Sequence, residues 1–513
     1  MKVVSSDAMA RIDRRSQAEF AFPSTMLMED AGVKAWAAAR RALWGGRLPR
    51  DPMVFVAGRG NNGGDALVMA RQAAVERAPG IAVILAGGRP DPESDPGRML
   101  AICEALGMEC VQWPGDAERA RAILDGARWV FDGIAGTGVR GALRPPLSDL
   151  VEILNRVPGA RIAIDIPSGL GDGFTPDHPV VHADVTLTMG LPKLCLYLPR
   201  ARVHCGRILV VPVGFPPALL EDHDIPGEML SRGAWRGLAP DIPVDVHKNR
   251  RGHLAIFSGA VGTTGAAWLC ASAAARSRVG LVTLFVDHDA YLVVAQKLTS
   301  VMCRAWDASP RPGGSEWDPA PHSAVLVGPG WGLTDAKERW LERLLSLDLP
   351  GVIDADGVTL LGRIGARRKL DLAGRWVLTP HPGEFSRLTG VPREEVLDDP
   401  VSHAVAASAR WNAVLVLKGH VTVIASPEGA YSVLDGANPA LATGGAGDVL
   451  AGIVAAGVAG GMSPWDAARF GVSLHSHVGH IAARRMGWFL AEDLVPLISR
   501  TLLQGNARST APE

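Results

Sequence analysis

Two stretches of the chain alternate short Val/Ile/Leu runs with longer segments of helical spacing. In the first, MVFVAG (53–58), IAVILAGG (81–88), RWVFDG (128–133), RIAIDIPSG (161–169), ADVTLTMG (183–190) and RILVVPVG (207–214) are largely apolar runs. Strands covered by helices on both sides of a parallel sheet read this way, so the pattern predicts a doubly wound α/β domain. The alternation restarts after Lys248 with HLAIFSG (253–259), GLVTLFVD (280–287), SAVLVGPG (323–330), GVIDAD (351–356), RWVLTPHPGE (375–384), AVLVLKG (413–419) and VTVIAS (421–426). Helical spacing at 265–278, 446–462 and 464–486 accompanies it and predicts a second α/β domain. Residues 221–246 are proline-rich and aperiodic, which reads as an exposed linker. The expected division is therefore 1–220, a linker at 221–246, 247–504, and a frayed polar tail at 505–513.

Charge narrows the function classes. Across 513 residues, 52 Lys and Arg balance 53 Asp and Glu, for a net charge of −1. No basic excess exists to hold nucleic acid or an anionic membrane surface. The amino terminus lacks the apolar core of a signal peptide and no apolar run nears the ~20 residues that span a bilayer, so a cytoplasmic protein is expected. The six cysteines contain no CxxC pair, which suits buried thiols in a reducing compartment.

Candidate chemistry lies where the predicted strands end. Gly58, Gly60 and Gly63 spell GxGxxG between a strand and a helix, a setting that favours a pyrophosphate. The ribose-binding acid expected about 20 residues later is missing from IAVILAGGRP, which argues against an ordinary hydride-transfer cofactor. Asn61 and Asn62 before Gly63 and Gly64 put side-chain oxygens beside backbone free to adopt φ > 0, suited to an anionic ligand or a hard cation. Asp132 and Asp165 close their strands at the same predicted sheet edge, where the alternatives are a ligand contact, an Asx turn or a helix cap. In the second domain, NPALATGGAGD (438–448) runs straight into a helix. Small residues there leave the first N–H groups free, so Gly444, Gly445, Ala446 and Gly447 form a predicted anion hole. Asp448 falls in the first helical turn, where the dipole is expected to favour its ionised form and leave it able to accept a proton.

VAGRGNNGGDALVMAR (56–71), FDGIAGTGVRG (131–141), AIDIPSGL (163–170) and TMGLPKLCLY (188–197), after STMLMEDAG (24–32), resemble the Rossmann-like NAD(P)H-hydrate epimerase domain over residues 1–215. The resemblance implies that Asn61, Asn62, Gly63, Gly64 and Asp65 hold the hydrated nicotinamide dinucleotide. Gly136, Thr137, Gly138, Val139, Arg140, Gly141 and Ala142 would complete that hold, with Asp165 also in contact. It further implies a potassium ion on Asn62, Asp132 and Ser168, and Asp65 or Asp165 as the proton-moving group. Lys193 matches a family position near the ligand, the alternative being a solvated lysine.

The loop TGGAGD resembles that of the ribokinase superfamily. With HKNRRGHLAIFSGAVGTTGAA (247–267), VGPGWG (327–332), IDADG (353–357), LTPHPGEFSRL (378–388) and LKGHVTVI (417–424), residues 247–500 resemble the ribokinase-like ADP-dependent NAD(P)H-hydrate dehydratase. This implies Ala267, Gly330, His381 and Asp448 on the hydrated dinucleotide. Lys418, Gly419, His420, Val421, Thr422 and Gly447 would embrace ADP with its magnesium, and Asp448 would be the catalytic base. The expected activity is cofactor repair: epimerisation of NADHX and NADPHX by the first domain and ADP-dependent dehydration by the second. A homo-oligomer is expected, with no nucleic-acid or membrane partner. The alternative is a small-alcohol or pyrimidine kinase fused to a non-catalytic nucleotide-binding module.

Overall fold

The computed structural model describes residues 1–222, 224–307 and 317–506. The chain divides between Gly227 and Glu228 into two compact units.

The first unit carries a seven-stranded sheet, every pair parallel. Across the sheet the strands run Glu109–Trp113, Ile81–Ala86, Met53–Ala57, Trp129–Gly133, Ala160–Ile164, Val185–Met189 and Arg207–Val211. Successive side chains point to opposite faces. Met53, Phe55 and Ala57 enter one apolar cluster with Trp36 and Leu67, while Val54 and Val56 enter another with Leu124 and Leu150. Burial on both faces is why these runs carry no polar alternation. The order reverses between Met53–Ala57 and Trp129–Gly133, and the carboxyl edge at such a switch is where open α/β sheets bind ligands. The strand Glu109–Trp113 lies outside the sequence expectation. As an edge strand it exposes Glu109 and Gln112, so its sequence alternates.

The second unit forms a ten-stranded sheet. Its order is Met302–Trp306, Leu281–Asp287, His253–Phe257, Ala324–Val327, Gly351–Ile353, Trp376–Leu378, Val414–Leu417, Val421–Ala425, Tyr431–Asp435 and the short edge strand Gly227–Met229. Pairing is parallel as far as Val414–Leu417, then turns antiparallel through Val421–Ala425 and Tyr431–Asp435. The helices Thr264–Ala275 and Ala446–Ala459 cross closely at Gly452, where a Cβ would sit 2.3 Å from the Cys270 carbonyl oxygen.

The linker expectation needs correction. The first unit runs past residue 220 to Gly227, tied by Arg15 to Asp222 (2.9 Å) and by the Lys2 ammonium to the Ile225 carbonyl (2.6 Å). Beyond it, the Leu230 N–H donates to Val433 O (2.8 Å), and Trp235, 1% exposed, lies within the second unit's apolar cluster. A lone tryptophan and backbone ladder bonds leave no periodic trace, so 221–246 read as loop although much of it is anchored. The helix Ala491–Asn506 runs through the first two positions of the expected frayed tail, and residues 507–513 lie outside the described residues. Among the described residues no helix is long and apolar enough to cross a membrane. All six cysteines are free, four of them buried.

Candidate functional site

At the first unit's carboxyl edge lies a cavity of about 480 Å³. Asn61, Asn62, Asp65, Gly136, Thr137, Gly138, Val139, Asp165 and Lys193 line it. Asp165 follows its strand in a left-handed conformation (φ 65°), a strained geometry for a non-glycine residue of the kind that collects at functional sites. Its Oδ1 accepts from the Lys193 ammonium (2.5 Å) and the Met189 N–H (3.0 Å). Lys193 is 1% exposed and also donates to the Met189 carbonyl, so the solvated alternative falls. The Asp65 carboxyl sits well above the usual range because burial disfavours its charge and Asp165 and Asp13 add negative potential, with Lys193 opposing.

Beneath this cavity the Asp132 carboxylate is fully buried. It accepts from the Ser168 N–H (2.8 Å) and hydroxyl (2.6 Å) and from the Ile134 N–H (3.3 Å). Burial lifts its pKa to about 6 against those hydrogen bonds. Asn62 presses on the Gly136 backbone, and both its amide oxygen and nitrogen are buried without a hydrogen-bond partner. The orphaned Asn62 oxygen and the buried Asp132 carboxylate are oxygen donors of the kind that suits a hard cation.

Not all of the expected residues line this cavity. The helix Asn61–Val75 begins at Asn61, so Gly63 and Gly64 are helical rather than left-handed loop residues. Their small size serves packing: a Cβ on Gly63 would lie 1.9 Å from the Gly58 oxygen, and one on Gly64 2.5 Å from the Met28 sulfur. Neither lines the cavity, nor do Arg140, Gly141 and Ala142. The Arg140 side chain is exposed and pairs with Asp7 (2.8 Å). Sequence reasoning missed Met9, Ala10 and Asp13, which come from a helix without glycines or a motif.

In the second unit the helix Ala446–Ala459 starts from Gly445 in the left-handed conformation (φ 89°), where a Cβ would strike Leu269 at 2.4 Å. The Ala446 N–H turns back to Thr443 O (3.3 Å), and the Ala446 side chain is buried, so this residue shapes the hole without donating to it. Among the described residues the Gly447 and Asp448 N–H groups have no backbone acceptor. Gly444 faces open space.

Lys418 stands beside this turn, its ammonium 2.6 Å from Asp354 Oδ1 and 3.9 Å from Glu384 Oε2. Burial disfavours its charge, but Asp354 and Glu384 outweigh burial and hold its pKa above the usual range. Asp354 is 1% exposed and also accepts from the Thr379 hydroxyl (2.8 Å). The next residue, Ala355, is again left-handed (φ 49°), and Asp356 accepts from the Gly332 N–H (2.7 Å). The dipole expectation for Asp448 is overturned. Burial, with Asp354, Glu384 and Asp356 adding to it and Lys418 opposing, lifts its pKa to about 7. Among the described residues no basic nitrogen lies within ion-pair distance of it. Such a carboxyl is half ionised near neutrality, the condition that suits a general base.

Gly330 (φ 52°) packs against Thr263 and Ala266, whose atoms a Cβ would meet at 2.8 and 2.9 Å, and its carbonyl accepts from the Thr263 hydroxyl (2.7 Å). The Ala267 side chain is fully buried in the apolar cluster with Leu254 and Ile256, packed under Gly259. His381 caps the helix Pro382–Thr389, with Nδ1 accepting from the Gly383 N–H (3.0 Å) while Glu384 accepts from the His381 N–H (2.8 Å). That fixes the ring half-exposed at the sheet edge. Lys418, Gly419, His420, Val421 and Thr422 turn between Val414–Leu417 and Val421–Ala425, but the Val421 side chain is buried in the sheet. Asp354 lay inside the IDADG segment without an assigned role; its partner Lys418 is what gives it one.

Comparison with known proteins agrees with this division. A family model described as YjeF-related protein N-terminus matches residues 24–195, and one described as NAD(P)H-hydrate dehydratase matches 254–500. The bifunctional NAD(P)H-hydrate repair enzyme of Moorella thermoacetica is 33% identical over 98% of this chain and 97% of its own. That of Escherichia coli is 32% identical, over 92% and 88%. The ADP/ATP-dependent NAD(P)H-hydrate dehydratase of Bacillus subtilis, co-crystallised with ATP and Mg2+, is 26% identical over 54% of this chain and 98% of its own, with a TM-score of 0.48. The chain belongs to the family of bifunctional NAD(P)H-hydrate repair enzymes.

Proposed function

We propose that the first unit interconverts the C6 epimers of hydrated NADH and NADPH and that the second dehydrates one epimer at the expense of ADP. The observation that carries the reading is Asp448: a carboxyl poised near neutral pH, unpaired, in the first turn of a helix whose Gly447 and Asp448 amides are free. Asp448 takes the proton of the C6 hydroxyl as the hydroxyl oxygen bonds to the terminal phosphorus of ADP and the phosphoanhydride bond breaks to release AMP. Phosphate then leaves with the electron pair of the C6–O bond, the C5 proton passes to solvent, and the ring double bond returns. Amides aimed at the moving charge supply the largest electrostatic contribution, about 3 kcal/mol for each donor in comparable sites. Gly330 and the capped His381 border the dinucleotide, while Lys418, Gly419, His420 and Thr422 border the nucleotide. Asp354, Asp356, Glu384 and Asp448 crowd one edge with negative charge, which fits a magnesium ion carried in on the nucleotide phosphates and neutralising them.

In the first unit, Asp165, paired with Lys193, accepts the C6 hydroxyl proton. The C6–N1 bond opens to an aldehyde, its electron pair going to N1, and Asp65 supplies the proton there; closure on the opposite face reverses these transfers. Asn62, Asp132 and Ser168 would hold potassium, which would supply positive charge to the buried Asp132 carboxylate.

The test is incubation of the full chain with an epimer mixture of hydrated NADH, ADP and magnesium, following the absorbance of the reduced ring and release of phosphate. Recovery of NADH with equimolar phosphate is expected; a phosphorylated product that persists would instead support a kinase. Because Asp448 must be ionised to act, dehydration should rise with pH through about 7 and level off above it. A rate that falls over that interval would exclude Asp448 as the base.

A further inference from the structure

The family match in the first half begins at residue 24, yet one wall of the first unit's cavity comes from before it. The helix Ser6–Phe20 contributes Met9, Ala10 and Asp13 to that wall. It is fastened rather than appended. Met9 and Ile12 are buried with Leu191 and Leu219, and the Ser6 N–H and hydroxyl donate to Asp172 (2.9 and 3.0 Å). The Val4 N–H donates to Pro192 O (3.0 Å) and the Leu194 N–H to Val4 O (2.7 Å), so the strand segment before the helix brackets Lys193.

Asp13 has Gln17 within 3.3 Å, and among the described residues no basic nitrogen stands within ion-pair distance of it. We infer that the helix Ser6–Phe20 completes the epimerisation site and that Asp13 is its positioning residue, acting on the reaction through the Asp65 carboxyl that faces the same cavity. The inference rests on the epimerase reading of this unit. Three carboxylates, Asp13, Asp65 and Asp165, and one ammonium, Lys193, line the hollow, with Arg14 beside Asp13 on the solvent side. One ammonium cannot offset three negative charges gathered on one cavity, so a proton is retained. It resides on Asp65, where burial first, then Asp165 and more weakly Asp13 disfavour a charge, with Lys193 opposing them. An acid that must deliver a proton to N1 needs that arrangement, and Asp13 is the part of it that can be removed without touching the Lys193–Asp165 pair.

The experiment measures epimer interconversion by chromatography, without nucleotide, in the full-length chain and across pH. The proteins are wild type, Asp13→Asn, Asp13→Glu and Asp165→Asn. Asp13→Asn is expected to lower kcat by about tenfold or more, with KM little changed. The alkaline limb of its pH profile should move to lower pH, since Asp65 then loses its proton sooner. Tm should hold, and Asp13→Glu should restore most of the rate. If Asp13→Asn keeps the wild-type rate and limb while Asp165→Asn is inactive, the role of Asp13 is overturned. A fall in rate that tracks a fall in Tm with the limb unmoved overturns it equally, leaving the helix as scaffold. Asp165→Asn with wild-type interconversion would sink the reading of the cavity itself.

Discussion

Replacing Asp448 with Asn should abolish most dehydration, by about 10³-fold in kcat, while epimer interconversion in the same protein continues. Asn keeps the shape and the helical turn but cannot accept the hydroxyl proton. It also removes a repulsive charge from a cluster in which Asp354, Glu384 and Asp356 already crowd Asp448. Stability should therefore hold or rise slightly, separating a lost base from a lost fold. The measurement is single-turnover recovery of NADH from the hydrated form with ADP and magnesium, beside a melting curve. Retention of more than about a tenth of the rate would mean that the proton leaves by another route.

The second large effect is expected at Lys193. Its ammonium is 1% exposed and is paired at 2.5 Å with an Asp165 side chain that is 14% exposed. Lys193→Met preserves the stem and deletes the charge, leaving Asp165 buried with only the Met189 and Thr188 donors. Breaking a buried pair from one side costs about 3–5 kcal/mol, because the surviving charge loses its compensation. The first unit should melt earlier and epimer interconversion should cease. Asp165→Asn should also destabilise, since it leaves the more deeply buried Lys193 ammonium with neutral acceptors such as the Met189 carbonyl. Equal melting temperatures for Lys193→Met and wild type would show that this pair is solvated in solution.

The two sheets were readable because their strands are buried on both faces and therefore uniformly apolar. Two of the edge strands were not, although Arg207–Val211, at the other edge of the first sheet, was. Glu109–Trp113 alternates polar and apolar positions, and Met302–Trp306 exposes Met302, Arg304 and Ala305. In the site, acids at element ends were legible: Asp132 and Asp165 close strands, and Asp448 stands in the first turn of a helix. What the acids would feel was less so. A helix dipole is a local property visible in sequence, whereas the burial and the Asp354, Glu384 and Asp356 charges that dominate Asp448 come from segments up to about ninety residues away. Glycine pairs were misread for a related reason. Gly63 looks like a flexible ligand loop, but the pressure that demands it is the Gly58 carbonyl oxygen.

The two backbone bonds from Val4 to Pro192 and Leu194 make the beginning of the chain a splint for Lys193. A purification tag fused directly ahead of Lys2, or trimming by an aminopeptidase, would strain or remove that splint without touching any residue that faces the ligand. Preparations differing only in their first few amino acids should then differ in how firmly the lysine is seated, and hence in epimerising capacity, while their dehydrating capacity stays level.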